Sequence, residues 1–321
     1  MTMESVPIFT VDIGNTRAKF GIWLREPCSV GFYATDVATR PAYEFADVSA
    51  GFSEAARRIS ELHNELNSKA RWIISSVNAK KTSALLEVIR EIRPTDSVKL
   101  VTVDDIPTPI HYDFPEKLGV DRVVVAYAGI RRLGPGRPFL AIDVGTAATI
   151  DYVDGDGVFC GGAILPGSRL MAEALNIKTA ALPMLDDPEN ERLGQGNWTR
   201  VNEELDYPAT ETQKAIRLGL VFAVVGSVSS FYWKTRRKII EAGGDPSQLA
   251  LVLAGGDAEL TKFNLQNHFD DLDVSQGNAA PRPEIIVEPR LALVGLKDLA
   301  LLHWKSDWEG WNAKDCDKKG A

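Results

Sequence analysis

The feature that most restricts the fold of this chain is a short pattern that occurs twice. An apolar run, an aspartate, an aliphatic residue, a glycine and a hydroxyl residue follow one another at residues 9–16 and again at 140–146, where the turn is one residue shorter. A strand that ends in a tight polar turn and returns as a second strand is typical of this pattern. Two copies predict a duplicated lobe, with the connection between the lobes in the Gly- and Pro-rich residues 134–138.

Apolar runs of strand length alternate with helix-like periodic runs along the rest of the chain, which predicts an α/β fold. The predicted domains are an N-terminal lobe at 1–133, a C-terminal lobe at 134–304 and a polar tail at 305–321. Strands are predicted at 8–11, 18–24, 71–77, 98–103, 139–142, 147–153, 249–253 and 284–287, and helices at 52–66, 82–92, 115–133 and 291–304.

Composition and charge argue against several classes of protein. The chain has 36 basic and 44 acidic residues, a net charge of −8, which disfavours nucleic acid or an anionic membrane surface as a partner. Its three cysteines are far apart and predict free thiols in a reducing compartment. The longest uncharged run, 218–233, is shorter than the ~20 residues of a membrane span, and it predicts a buried or interface helix. The first residues lack the pattern of a signal peptide, so we expect a cytoplasmic protein.

The two repeated turns contain residue types that bind a phosphorylated nucleotide. Their glycines let the backbone come close to a phosphate, and their hydroxyls and a following lysine can donate to its oxygens. Their aspartates repel phosphate, so they are suited to a cation, or to the waters of a cation, that contacts it. The alternative interpretation is that these residues only form hairpin turns. Two matched copies favour a nucleotide clamp over that alternative. The residues are Asp12, Gly14, Thr16 and Lys19 in the first copy and Asp143, Gly145 and Thr146 in the second.

Motifs of several other functional sites are missing from the sequence. It has no GxxxxGK[ST] loop, no GxGxxG between a strand and a helix, no GxSxG turn and no CxxC or HxxxH pair. A Walker-type site, a dinucleotide fold, a serine-hydrolase elbow and a zinc site are therefore not expected.

A second candidate site stands at the start of a predicted helix. Asp121 and Arg122 precede an otherwise apolar run. An acid at this end interacts favourably with the helix dipole, which is a sufficient structural reason for Asp121, but Arg122 is unfavourable at the same end. The pair is better explained as an acid that accepts a hydroxyl proton beside a cation that holds an anionic substrate.

Several longer motifs occur together in one order along the chain. They are DIGNT at 12–16, GVDR at 119–122, DVGTAAT at 143–149, GGAILPG at 161–167 and TAALP at 179–183. With them the chain resembles the type III pantothenate kinases, members of the acetate and sugar kinase, Hsp70 and actin superfamily, over residues 9–302. The resemblance implies two ribonuclease-H-like lobes with ATP in the cleft between them. It also implies phosphoryl transfer from ATP to pantothenate, the first step of coenzyme A biosynthesis.

The resemblance further implies roles for individual residues. Asp121 would be the general base, Arg122 would suit the carboxylate of pantothenate, and Asp143 would bind a monovalent cation, K⁺ or NH₄⁺. Mg²⁺ would accompany ATP. A homodimer is implied as well, with the 218–233 run as part of its interface. The implied ATP contacts are Asp12, Ile13, Gly14, Asn15, Thr16, Arg17, Ala18, Lys19 and Thr146, and the implied pantothenate contacts are Tyr112, Gly119, Val120, Asp121, Arg122 and Thr179.

Two regions depart from the family pattern, an acidic and polar stretch at 186–207 and a Trp-containing tail after residue 304. Neither contains a motif residue. Three alternatives stay open: a kinase of the same superfamily that acts on another small alcohol, a non-catalytic nucleotide-binding regulator, and an actin-like structural ATPase. Asp121 and the intact turn from Thr16 to Lys19 favour a kinase, because a protein that only binds nucleotide needs no base.

Overall fold

The computed structural model describes residues 6, 8–16, 18–25, 32–33, 69–185, 207–276 and 282–304 of the chain. The predicted helix at 52–66, Arg17 and the predicted tail at 305–321 lie outside the described residues. The chain divides into two compact units. The first draws on Met1–Pro107, Glu116–Val124 and Ala292–Ala321, and the second on Thr108–Pro115 and Val125–Leu291.

The first unit is built on a five-stranded sheet of order β3-β2-β1-β4-β5. Strands β1 and β2 form an antiparallel hairpin, and β1, β4 and β5 run parallel. The strands are β1 (Ile8–Ile13), β2 (Ala18–Arg25), β3 (Phe32–Tyr33), β4 (Arg71–Ser76) and β5 (Ser97–Leu100). Helix α1 (Ala79–Ile92) follows β4.

Alternation along the strands gives the first sheet two apolar faces. On one face, Phe9 stacks on Trp72 with ring centroids 4.2 Å apart, and Leu85 and Ile89 of α1 complete this core. On the other, the last helix, α6 (Leu291–His303), brings Lys297 5.2 Å from the ring centroid of Trp23. The sheet is thus covered by α1, which connects β4 to β5, and by α6 from the end of the described chain.

The second unit repeats the arrangement of the first sheet. Its five strands have the order β10-β9-β6-β7-β8, with β6 and β7 as an antiparallel hairpin and β9 parallel to β6. The strands are β6 (Phe139–Val144), β7 (Ala147–Val153), β8 (Phe159–Pro166), β9 (Ala250–Ala254) and β10 (Ile285–Val287). The helices are α2 (Val120–Leu133, whose first turn belongs to the first unit), α3 (Ser168–Lys178), α4 (Thr212–Glu241) and α5 (Ala258–Gln276).

The duplication predicted from the repeated pattern is confirmed, because the second strand order read backwards matches the first strand for strand. The aspartates occupy equivalent places in the two hairpins, Asp12 opposite Lys19 and Asp143 opposite Thr149. The sequence placed both aspartates in the turns, whereas each still belongs to its strand. Both are held there because a parallel neighbour pairs with them, Ser75 with Asp12 and Ala254 with Asp143.

Several predicted boundaries shift by one to three residues, and two predicted elements differ in kind as well as in length. The predicted helix at 115–133 is a 3₁₀ turn at Pro115–Lys117 followed by α2 from Val120. The predicted strand at 98–103 ends at Leu100, and a 3₁₀ turn follows at Val103–Asp105. The strand ends early because the Asp105 carboxylate accepts hydrogen bonds from both N–H and Oγ1 of Thr102, each at 2.8 Å.

Helix α4 contains the long uncharged run of the sequence. Within the described part of the chain, α4 alone is both long enough and apolar enough to cross a membrane, judged by length and composition. It nevertheless buries Val224, Val228 and Tyr232 in the hydrophobic core of the second unit. This is the packing of a core helix, as predicted.

Candidate active site

The first repeated turn lies at the carboxyl end of β1. The carboxylate of Asp12 is buried, and Gly14, Asn15 and Thr16 leave the strand directly after it. Val77 N–H donates to the carbonyl of Ile13 at 3.0 Å, which ties the end of β4 to the start of the turn. The side chains of Ile13 and Ala18 belong to the core, so these two residues can offer a ligand only their backbone groups.

The second repeated turn is closed by backbone hydrogen bonds. Gly145 N–H donates to the Ala147 carbonyl at 3.1 Å, and Gly167 N–H donates to the Thr146 carbonyl at 2.9 Å. Asp257 N–H donates to the Val144 carbonyl at 3.2 Å. The turn is therefore held in place from β8 and from the segment before α5, while the Thr146 side chain is exposed.

Two glycines that the sequence analysis did not assign support the second turn. A Cβ at Gly167 would overlap the Gly145 carbonyl oxygen. A Cβ at Gly255 would overlap both Asp143 Oδ1 and the Val144 carbonyl oxygen, and Gly255 has φ +89°, which favours glycine. A glycine pair and an aspartate between a strand and a helix, at 255–257, was the sequence signal that could have identified this support.

The residues of the first unit that were predicted to bind the phosphoryl-accepting substrate lie at the start of α2. Asp121 Oδ1 accepts a hydrogen bond from Arg122 N–H at 2.9 Å, and Arg122 is buried at 7% exposure. Gly119 leaves room for this carboxylate, because a Cβ on it would lie 2.5 Å from Asp121 Oδ1. The same position lies 3.8 Å from Val77 Cγ1, so the Asp121 turn and the Asp12 turn meet at one end of the first sheet through Val77. The Val120 side chain is buried and packs in the interior.

Tyr112 and Thr179 occupy different places in the second unit. The Tyr112 ring lies against Gly161, where a Cβ would be 3.3 Å from ring atom Cδ2, and a tilted contact to Phe159 orients it. Thr179 ends α3, and its Oγ1 donates to the Leu175 carbonyl at 2.7 Å. The Thr179 oxygen also accepts from Leu182 N–H at 3.3 Å, so a ligand can meet this hydroxyl only at its remaining lone pair.

The donors around Asp143 fit a hard cation. A carboxylate oxygen of Asp143 and the carbonyl oxygen of Val144 converge beside Gly255, where a Cβ would touch both. Carboxylate and carbonyl oxygens are the donors that hard cations prefer. Within the described ranges no cluster of three His, Cys, Asp or Glu side chains could hold a metal ion by itself, so a cation here needs backbone or ligand oxygens as well.

Comparison with known proteins identifies one family. A sequence profile of the type III pantothenate kinases matches residues 8–234. The chain is 30% identical to the type III pantothenate kinase of Persephonella marina over 270 residues, 84% of this chain and 94% of that protein. A relative of the same name from Flavobacterium johnsoniae is 30% identical over 81% of this chain and 90% of its own length. The relative from Rhodopirellula baltica is 38% identical, but the match spans only 50% of this chain and 51% of that protein.

Among solved structures, MreB5 of Spiroplasma citri bound to ADP aligns over 96% of this chain and 100% of its own, at 12% identity and a TM-score of 0.49. The assignment of a duplicated α/β fold rests on the matching strand orders of the two sheets and not on that alignment.

Proposed function

The chain belongs to the type III pantothenate kinase family, and on that premise we propose how its residues divide the work of the reaction. The activity is ATP-dependent phosphorylation of pantothenate to 4'-phosphopantothenate, which begins coenzyme A biosynthesis. The observation that carries the residue assignment is the meeting of the Asp12 turn and the Asp121 turn at one end of the first sheet, through Val77.

We propose that the first repeated turn, at residues 14–16, binds the phosphates of ATP. The N–H groups of Asn15 and Thr16 donate no hydrogen bond to any described residue, and Lys19 stands opposite Asp12 in the hairpin. Backbone donors and a nearby ammonium suit phosphate oxygens. Asp12 repels phosphate, so we assign it to the Mg²⁺ that accompanies ATP, through the waters of that ion. A Mg²⁺ ion held there would supply neutralisation of the phosphate charge.

Asp121 is the proposed general base. Its carboxylate is held by the backbone N–H of Arg122 in a geometry for which Gly119 makes room. Phosphoryl transfer needs positioning and charge neutralisation more than covalent chemistry, so this carboxylate has only to orient the acceptor hydroxyl and take its proton as transfer proceeds. The neighbouring Arg122 guanidinium is assigned to the pantothenate carboxylate, together with Tyr112 and Thr179 as further contacts.

The second turn is assigned to ATP through Thr146 and to a monovalent cation, K⁺ or NH₄⁺, through Asp143. The exposed Thr146 hydroxyl can donate to a phosphate oxygen. The convergence of Asp143 and Val144 oxygens beside Gly255 supports the cation assignment.

The decisive assay couples ADP release to pantothenate phosphorylation in the full chain, with and without KCl. We expect Asp121→Asn to lower kcat by about 10²–10⁴-fold with little change in ATP affinity, because the variant keeps the shape but loses the proton acceptor. Asp113→Asn is the matched control, since Asp113 is an exposed acid of the same segment.

Three results would redirect the proposal. Full activity of Asp121→Asn would remove the base assignment, and full activity without K⁺ or NH₄⁺ would remove the cation assignment of Asp143. ATP binding without turnover of pantothenate would favour another small alcohol as acceptor, or a nucleotide-binding regulator.

We also propose that the protein is a cytoplasmic homodimer. Family membership supports a soluble metabolic enzyme. Helix α4 supports the dimer, because Phe222 is 54% exposed between Gly219 and Gly226, whose Cβ positions open into free space. A large apolar side chain between small residues is suited to packing against a second helix.

A further inference from the structure

Lys81, in the first turn of α1, is a buried lysine. It is 6% exposed, whereas lysine is almost never fully buried unless its charge is paired. Its Nζ donates to the backbone carbonyl of Asn15 at 2.8 Å, and no carboxylate of the described residues forms an ion pair with it. Burial lowers the pKa of Lys81, as expected for an ammonium that the surrounding protein does not neutralise. Among the described residues Lys81 has no counter-charge, and an anion bound at the first repeated turn would supply one.

The helix end around Lys81 also favours an anion. Asn78 caps α1 by accepting from Lys81 N–H, and the first turn contains no acidic residue. The N-terminus of a helix carries partial positive charge, so a lysine there is electrostatically unfavourable unless an anion lies nearby. Because Asn15 belongs to the first repeated turn, the nearest proposed anion is the phosphate chain of ATP.

The hydrogen bond from Lys81 fixes the direction of one peptide group in that turn. The peptide between Asn15 and Thr16 is trans, so its C=O and N–H point in opposite directions. With the Asn15 carbonyl held by Lys81 Nζ, the Thr16 N–H must point to the other side of the turn. That N–H donates to no described residue and is therefore available to a ligand.

We propose that Lys81 is a positioning residue for ATP: it holds the Asn15–Thr16 peptide so that the Thr16 N–H faces the phosphates, and it adds a positive charge behind the turn. The inference rests on the proposed binding of phosphates at this turn. Lys81 acts on the binding of ATP and not on the binding of pantothenate. Lys81 therefore contributes to the affinity for polyphosphate and leaves the affinity for pantothenate unchanged.

The test compares Lys81→Met, Lys81→Arg and Lys80→Met in the full chain by calorimetric titration with MgATP, MgADP and adenosine. Lys81→Met keeps length and loses the charge and the donor, so we expect MgATP and MgADP to bind about 10–100-fold more weakly, as for a lost charged hydrogen bond. Adenosine should bind unchanged. Lys81→Arg should recover most of the affinity, and the exposed Lys80 is the control that should change nothing.

Kinetics and unfolding separate positioning from a structural role. In Lys81→Met the KM for ATP should rise while the KM for pantothenate and the urea midpoint of the nucleotide-free protein stay near those of the parent. Equal weakening of MgATP and adenosine, or unchanged MgATP affinity, would overturn the inference. The titrations need no acceptor, so a parent protein that binds MgATP but does not phosphorylate pantothenate contradicts the assigned reaction alone. A parent that binds no MgATP contradicts both.

Discussion

At the residue scale, two adjacent glycines with different surroundings provide a matched test of the second turn. Gly255 has φ +89° and lies against Asp143 and Val144, whereas a Cβ on Gly256 would meet nothing within 4 Å. We expect Gly255→Ala to lower the free energy of unfolding by at least about 1–2 kcal/mol, from the left-handed backbone alone. It should also lower kcat/KM for ATP by displacing the Asp143 carboxylate, while Gly256→Ala remains close to the parent.

Urea denaturation and the coupled ADP assay, run on both alanine variants, measure these two effects. Similar losses in the two variants would show that the close contact of Gly255 with Asp143 does not govern the turn.

The sequence pattern singles out polar residues of the candidate site, but not the residues that support them. Asp12 and Asp143 were evident because each stands in a repeated local pattern. Lys81 was not, because it contacts a residue 66 positions away and belongs to a helix that carries no motif. Gly255 likewise supports Asp143 across a parallel strand pair, a relation that becomes visible only once β9 lies beside β6.

At the element scale, the 3₁₀ turn after β5 depends on one ion pair with a measurable pH dependence. Lys99 Nζ donates to Asp105 Oδ1 at 2.7 Å. The hydrogen bond from Lys99, helped by those from Thr102, lowers the pKa of Asp105 from 3.8 to about 2. A carboxyl group whose pKa is lower in the folded state stabilises the fold fully above its ordinary pKa, and loses that contribution as the pH falls towards the folded value.

Asp105→Asn should therefore lower the free energy of unfolding by about 1 kcal/mol at pH 6, because the pair is largely at the surface. The difference from the parent protein should shrink as the pH falls from 4 to 2. Urea titrations at several pH values measure it, with Asp104→Asn as the control in the same turn. A difference that does not change across this range would remove Asp105 as its source.

Element prediction succeeded where a periodic pattern was local and failed where contacts outside the segment decided. Pro115 suggested a helix start, but the chain makes a short 3₁₀ turn and α2 begins only at Val120, after Gly119 leaves room for the Asp121 carboxylate. Strand β8 and helices α3 and α5 were not predicted from the sequence. Strand β8 has exposed apolar side chains such as Ile164, at 64%, so its polar and apolar residues do not alternate as in a half-buried strand.

At the scale of the whole molecule, the proposed dimer predicts that a charge on α4 breaks it. Phe222→Glu should convert the protein from dimer to monomer, because burying an unpaired carboxylate in an apolar interface is strongly unfavourable. Light scattering after size exclusion measures the mass directly. Leu302→Glu is the control, since Leu302 is similarly exposed, at 53%, but lies on α6 in the first unit. A monomeric parent protein, or a dimer that survives Phe222→Glu, would contradict the assignment of α4.

The discontinuity of the first unit has a consequence for protein synthesis. Its sheet is made early in translation, yet α6, whose Leu293 approaches Gly21 and whose Leu296 is fully buried, is the last described element to leave the ribosome. Until then the nascent sheet lacks the cover that α6 gives it, and exposed apolar sheet surface is prone to aggregation. Every candidate phosphate and acceptor residue precedes α6, so a growing chain contains all of these residues before α6 packs on the sheet that carries the first repeated turn.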